Sequence, residues 1–367
     1  MNKLISHLTI LCLFLSLNAC SEASSDIVLP DGFKLTVFAD NVPGARQLAL
    51  GENGTIFVGS KKPGRFFVLI DTNNDYLSDK RLVINNDLAL PTGVAYLNGD
   101  LFVSGPDKIL RYKNIEAELP KPSPPTLLLE NLPEDSHHGM RVLEIGPDNM
   151  LYTAIGMPCN ICSLQNPIMG AILRISPKDG SYSIFAKGVR NSVGLAWQKE
   201  SKNLWFTDNG RDWLGDNLPP DEINRAAKSG MHFGFPFVYG NNSPETDYYS
   251  KRNTTLTYTP PVVSLQAHTA PLGLNFYSGN QFPLEYQGSL FVAQHGSWNR
   301  SSKVGYRIIN IRFENSQPAS KVIFAEGWLK GPFPSGRPVD ILTLKDGSIL
   351  ISDDKAGKIY RISYQQE

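Results

Sequence analysis

The chain of 367 residues is short of several features that would direct its function elsewhere. It has no surplus of charge, with 35 Lys and Arg against 35 Asp and Glu, so it lacks the basic footprint that nucleic acid requires. Helix-favouring stretches are scarce. Arg225-Ala226-Ala227-Lys228 is one, and a short helix over 219–228 is the single helical expectation. A membrane span needs about 20 apolar residues, and the mostly apolar run from Leu8 to Leu17 is too short for one. Cysteine is rare, at four residues, and no second CxxC stands ready to complete a zinc site around Cys159-Asn160-Ile161-Cys162. With 41% hydrophobic residues the chain can still build a large core, and it must do so mainly from strands.

The start of the chain reads as an address. Lys3, the apolar run and Leu17-Asn18-Ala19-Cys20 make a secretory signal over 1–20. Leu-x-Ala-Cys resembles the lipobox of bacterial lipoproteins, in which Cys20 takes lipid and becomes the first mature residue, with 21–26 as a tether. Asn18 is less usual in that motif, so plain secretion with Cys20 removed or free is the alternative. Either way the expectation is an exported bacterial protein, periplasmic or held at the outer membrane, with the lipid as its only membrane contact. In that oxidising compartment Cys159 and Cys162 are expected to form a local disulfide rather than a redox dithiol or half a metal site.

One phrase then recurs: an apolar strand, a tight turn, a second apolar strand, a loop and a third strand. Its copies begin at Gln47, Thr92, Val142, Val193, Leu272 and Val339. The third copy is typical, with Gly146-Pro147-Asp148-Asn149 as the turn between β-prone residues from Val142 to Ile155. Six copies of about 55 to 60 residues suit four-stranded blades, so the expected fold is an all-β, six-bladed propeller over 27–367 in one domain. Phe33 to Phe38 is the candidate strand to close the last blade. Asp71-Thr72-Asn73-Asn74-Asp75 begins like a calcium loop, but Tyr76 and Leu82 replace its glycine and closing glutamate, so it reads as a turn. Lys61-Lys62 reads as a solvated loop.

In a propeller the residues before each first strand surround one mouth of the channel. Here these are His137-His138, Arg190-Asn191, His268 and Arg337, with His295 and Arg300 after a second strand. Converging cations and imidazoles favour an anionic ligand, and a histidine there can take a proton near neutral pH. Strand alternation implies that only one of His137 and His138 faces the channel.

His138-Gly139-x-Arg141, Gly188-Val189-Arg190-Asn191-Ser192-Val193-Gly194-Leu195, Asp221-Glu222-Ile223-Asn224, His295-Gly296-Ser297-Trp298-Asn299-Arg300 and Gly336-Arg337-Pro338-Val339-Asp340-Ile341 together resemble the glucose/sorbosone dehydrogenase family. These are soluble-type six-bladed quinoproteins that use pyrroloquinoline quinone (PQQ) and calcium. The resemblance spans nearly the whole mature chain and is closest to the sorbosone dehydrogenase-like branch, which shares the Pro-Cys-Asn-x-Cys loop. It implies a sugar or sugar-aldehyde dehydrogenase with His138 as base and Arg190 beside the reactive carbonyl. It further implies cofactor contacts from Asn191, His295 and Arg337, and calcium on the backbone carbonyls of Gly210 and Arg211. Two positions depart from the pattern. Met157 stands where the glucose-oxidising relatives orient the histidine with a carboxylate, and Val339 stands where they carry a second cofactor arginine.

Two other functions compete. A lactonase-type propeller would hold calcium on the channel axis by side-chain carboxylates, which the His- and Arg-rich mouth disfavours. A non-catalytic propeller binding carbohydrate or protein would accommodate Met157 and Val339. Substrate, electron acceptor and oligomeric state are not encoded in readable form.

Overall fold

The computed structural model describes residues 26–134, 137–163 and 166–365. The expected signal, Cys20 and all of the tether but Asp26 lie outside the described residues.

Six four-stranded antiparallel sheets form the blades of a propeller. Blade 1 runs through Ala45–Leu50, Ile56–Ser60, Arg65–Ile70 and Lys80–Asn85. Blade 2 follows with Gly93–Leu97, Asp100–Ser104, Ile109–Tyr112 and Thr126–Leu129. Blade 3 has Glu144–Ile145, Leu151–Ile155, Ala171–Ile175 and Tyr182–Lys187, and Met231–His232 adds a short parallel edge. Blade 4 has Leu195–Trp197, Leu204–Asp208, Asp221–Ala226 and Val263–Leu265. Blade 5 has Pro271–Phe276, Leu290–Gln294, Arg307–Glu314 and Gln317–Ala325. Blade 6 is built from Pro338–Thr343, Ile349–Asp353 and Lys358–Tyr364, and Phe33–Ala39 supplies its outer strand as expected.

Burial peaks at the second strand of each blade and falls towards the rim. The second strand of every blade is buried at all five positions, because neighbouring blades cover both of its faces. Outer strands such as Lys80–Asn85 and Gln317–Ala325 expose about every other residue or more. First strands approach one another closely around the axis. A Cβ on Gly194 would lie 2.0 Å from the Leu272 carbonyl of the next blade, so that position admits no side chain.

Three local expectations need correction or are met. The segment expected to start a helix is a strand, since Ile223 and Ala226 pack against blade neighbours and tertiary burial overrides a weak helix preference. Lys61 is not merely solvated, because its Nζ lies 2.9 Å from Asp354 Oδ2. Asp71 caps a turn, accepting the backbone N–H groups of Asn73, Asn74 and Tyr76.

Ring closure rests on Phe33–Ala39 pairing antiparallel with Lys358–Tyr364, from Phe33 opposite Tyr364 to Ala39 opposite Ile359. The Phe33 ring also stands edge-on to Phe282, Tyr286, Phe324 and Tyr364 at 4.8–5.3 Å between centroids, tying the closing strand to blade 5. Phe33→Ala should therefore cost about 3 kcal/mol in chemical denaturation, the usual scale for a truncated aromatic in a packed cluster. A change within about 0.5 kcal/mol, the range of ordinary surface substitutions, would show that closure does not depend on this ring.

Candidate active site

His138 is placed by three neighbours. Its backbone adopts the left-handed region at φ 55°, which is uncommon outside glycine, and Arg141 Nη1 holds its carbonyl at 2.9 Å. Gly156 leaves room beside it, since a Cβ there would lie 2.6 Å from His138 Cβ. The ring Nδ1 then meets the backbone carbonyl of Met157 at 2.8 Å. A carbonyl only accepts, so Nδ1 carries the hydrogen and Nε2 keeps its lone pair. With methionine at position 157, the orienting role falls to its backbone carbonyl, and the Met157 side chain is buried.

Arg190 is 4% exposed and sits at the start of blade 4. Asp208, the last residue of that blade's second strand, accepts the N–H groups of Arg190 and Asn191 at 2.9 and 2.6 Å. Blade 6 repeats the device, with Asp353 accepting the N–H of Arg337 at 2.9 Å. The Arg190 guanidinium donates through Nε to the Asn160 carbonyl, through Nη1 to the Asn209 carbonyl, and through Nη2 to Asn160 Oδ1 and, at 3.4 Å, to Asp212. Four contacts for five donors leave one Nη1 hydrogen without a partner among the described residues. Cys159 and Cys162 flank this loop and are joined in a disulfide.

Between these groups lies a cavity of about 230 Å³ lined by His137, His138, Arg190, Asn191 and Gly210, with Asp212, Asp221, His268 and Trp298 completing it. Both histidines line it, with ring centroids 4.0 Å apart, contrary to the alternation argument. They lie in a turn and His138 has positive φ, so strand geometry does not apply. His137 is exposed, whereas His138 is half-buried. At the rim, Trp298 and Trp213 are 64% and 69% exposed and meet edge to face at 5.4 Å.

The mouth carries less positive charge than the sequence implies. Asp212 and Asp221 share the cavity with Arg190. Asp221 is anchored by Gly210 N–H, Ala270 N–H and the Thr269 hydroxyl. Arg300 is committed to the carbonyls of Ser302 and Asp216. His295 and Arg337 do not line this cavity. They form a neighbouring cluster in which Asp354 accepts from His295 Nε2 at 3.0 Å, Arg46 at 3.1 Å and Lys61. Arg337 donates to the carbonyls of His295 and Gly296, which leaves three of its five donors without a partner among the described residues. Arg211 turns its side chain to Glu245, while the carbonyls of Gly210 and Arg211 accept no hydrogen bond among the described residues. Val339 is part of an apolar cluster with Val142, Val193 and Leu272. Sequence reasoning missed Asn160, Asp208 and Asp212, because nothing in their spacing points to Arg190.

A family model described as TrAA12-like matches residues 27–219 and 216–365. The chain belongs to the TrAA12-like family. An uncharacterized protein of Borreliella burgdorferi is 37% identical over 377 residues, covering 99% of this chain and 95% of its own. Among solved structures, the holo PQQ domain of pyranose dehydrogenase from Coprinopsis cinerea aligns with a TM-score of 0.77 at 19% identity, over 92% of this chain and 97% of that one. The calcium structure of a Trichoderma reesei carbohydrate-active enzyme of family AA12 aligns with a TM-score of 0.75 at 19% identity, over 93% and 97%. The resemblance carried by the sequence phrases is borne out in family and in fold.

In this TrAA12-like site burial dominates the electrostatics. His138 is pushed down to about 3 by burial, with the charge of Arg190 adding to it. Asp208 and Asp221 are pushed up to about 6 by burial, against the hydrogen bonds they accept. Burial would also raise Asp354, but the His295 hydrogen bond and the charges of Arg46 and Lys61 outweigh it and hold that carboxyl well below the usual range. The folded-state pKa of His138 is depressed, so the ring stays neutral as pH falls through its ordinary value. Nitrogen-15 NMR should show one neutral Nδ1–H tautomer for His138 between about pH 7.5 and about pH 5. Protonation near its ordinary pKa, or an Nε2–H tautomer, would contradict the assigned geometry.

Proposed function

We propose that the chain oxidises a sugar, or a sugar-derived alcohol or aldehyde, with PQQ and calcium, and passes the electrons to an external acceptor. The observation that carries this reading is the Met157 carbonyl holding His138 Nδ1–H, which leaves Nε2 as a free base in the cavity that Arg190 also lines.

The residues present fit the cofactor and its ion. The two unengaged carbonyls of Gly210 and Arg211 are hard oxygen donors of the kind calcium takes. The Nη1 hydrogen of Arg190 and the three donors of Arg337 that have no partner among the described residues suit the quinone oxygens and carboxylates of PQQ. Asn191, whose side chain makes no hydrogen bond among the described residues, offers both a donor and an acceptor. His295 would support the carboxylate end only indirectly, through Asp354 and the Arg337 contact to its carbonyl. When bound, PQQ supplies an electrophilic ortho-quinone that takes hydride, polarised by calcium as a Lewis acid.

The protein's own part is to bind, orient and move a proton. His138 Nε2 takes the hydroxyl proton of the substrate, and the Met157 carbonyl stabilises the resulting imidazolium through Nδ1–H. Burial, with the charge of Arg190 adding to it, keeps the base neutral beforehand, and an anion seated on Arg190 offsets that added repulsion and makes Nε2 a stronger base. The exposed faces of Trp298 and Trp213 at the rim suit the apolar face of a sugar ring. The lactonase alternative loses ground, since no three His, Cys, Asp or Glu side chains gather as a metal site among the described residues. Export follows from the signal reading, with a lipid on Cys20 as the proposed anchor.

With PQQ and calcium supplied, His138→Ala should keep cofactor binding and lower dye-linked turnover by roughly 10²-fold or more, the scale of a positioned general base. His137→Ala, which removes an exposed ring, should do much less. Full activity in His138→Ala with loss in His137→Ala would move the base by one residue, and full activity in both would refute the assignment.

A further inference from the structure

The segment Met157 to Cys162 touches both groups that the proposed reaction uses. Met157 fixes His138 through its carbonyl, and three residues later Asn160 holds Arg190 at two points. The Asn160 carbonyl accepts Arg190 Nε at 2.8 Å and its Oδ1 accepts Nη2 at 2.9 Å. The same Oδ1 accepts the Asp212 N–H at 2.8 Å, and Nδ2 donates to the Asp212 carbonyl at 3.0 Å. One side chain thus ties the guanidinium to the loop that follows Gly210 and Arg211. A loop asparagine held only by its own rotamer would lose freedom to make four such contacts. Here the Cys159–Cys162 bond brackets Asn160 on both sides and removes that freedom covalently.

We propose that the disulfide-closed loop of residues 159–162 is a clamp that positions Arg190 through Asn160, and that a dithiol reductant opens it. Asn160 is a positioning residue, and the clamp operates whatever reaction the cavity performs. Opening transfers two electrons and two protons from the external dithiol to the Cys159 and Cys162 sulfurs, and the reductant leaves as its own disulfide. Both cysteines are half-buried, so a small dithiol reaches them without unfolding the propeller. The closed loop is short, so it constrains the unfolded chain far less than a long-range bridge does. Its effect is local for that reason, and the ring is closed elsewhere by Phe33–Ala39.

Arginine footprinting tests the clamp independently of sugar oxidation. The mature chain is treated with phenylglyoxal before and after incubation with dithiothreitol, and modification is read by peptide mass spectrometry. Arg46 and Arg141, 3% and 1% exposed, serve as internal buried references. Labelling of Arg190 should rise about tenfold or more on reduction, as expected when a protected group opens locally, while both references stay protected. Cys159→Ser/Cys162→Ser and Asn160→Ala should label at Arg190 without reductant. Asn160→Asp, which keeps the acceptor oxygens, should stay protected. The proposal is overturned if Arg190 remains protected in the reduced protein or in Asn160→Ala, or if Arg46 and Arg141 become reactive along with it. The second result would make the disulfide a support of the whole fold.

Discussion

The cavity is assembled from three consecutive blades, so it depends on the ring being closed, and the pairing of Phe33–Ala39 with Lys358–Tyr364 is the constraint that closes it. His138 enters from blade 3, Arg190 and Gly210 from blade 4, and His268 and Trp298 from blade 5. No blade carries the site alone. First strands touch around the axis, with blade 6 against blade 1, and a gap at the closing strand would let them splay. Gly194 and the fully buried second strands leave no slack to absorb such movement.

Within this frame the site resolves a conflict between burial and charge. Arg190 is nearly inaccessible, and removing an ion from water costs several kcal/mol even after relaxation. That cost is offset by main-chain carbonyls, the Asn160 amide and Asp212, with Asp208 and Asp221 close enough to stabilise the charge. The opposite problem is solved at His138, which stays uncharged and is oriented by a neutral carbonyl rather than a carboxylate. The uncharged Met157 carbonyl therefore orients the histidine without a carboxylate. It leaves a base without a negative partner, whose strength depends on what binds beside Arg190.

The propeller was legible because first, second and third strands carry strong apolar patterns separated by turn residues such as Gly146-Pro147-Asp148-Asn149. Outer strands such as Thr126–Leu129 were not, since they are partly solvated and this short run shows no alternation of buried and exposed positions. Residues 219–228 misled in part, because Arg225-Ala226-Ala227-Lys228 favours helix locally while blade 4 buries Ala226. At the site, the residues before first strands were readable from the repeat itself, and His138, Arg190 and Asn191 do converge. Their partners were not. Asp208 and Asp212 lie 18 and 22 residues from Arg190, and Asn160 lies 30 away, so only the folded ring brings them together. The same limit applies to Arg337 and His295, whose carbonyl and Asp354 contacts make a second cluster beside the cavity.

The central claim is that this cavity and the cluster beside it accept PQQ together with calcium. An absorbance-monitored titration of the purified apo protein with PQQ, with and without millimolar calcium, tests it before any catalytic turnover is considered. The account predicts a saturable spectral change at one PQQ per chain that requires calcium, because the Gly210 and Arg211 carbonyls and the cofactor oxygens must be satisfied together. No saturable change at millimolar calcium would contradict it and would leave a propeller that binds carbohydrate or protein without oxidising it.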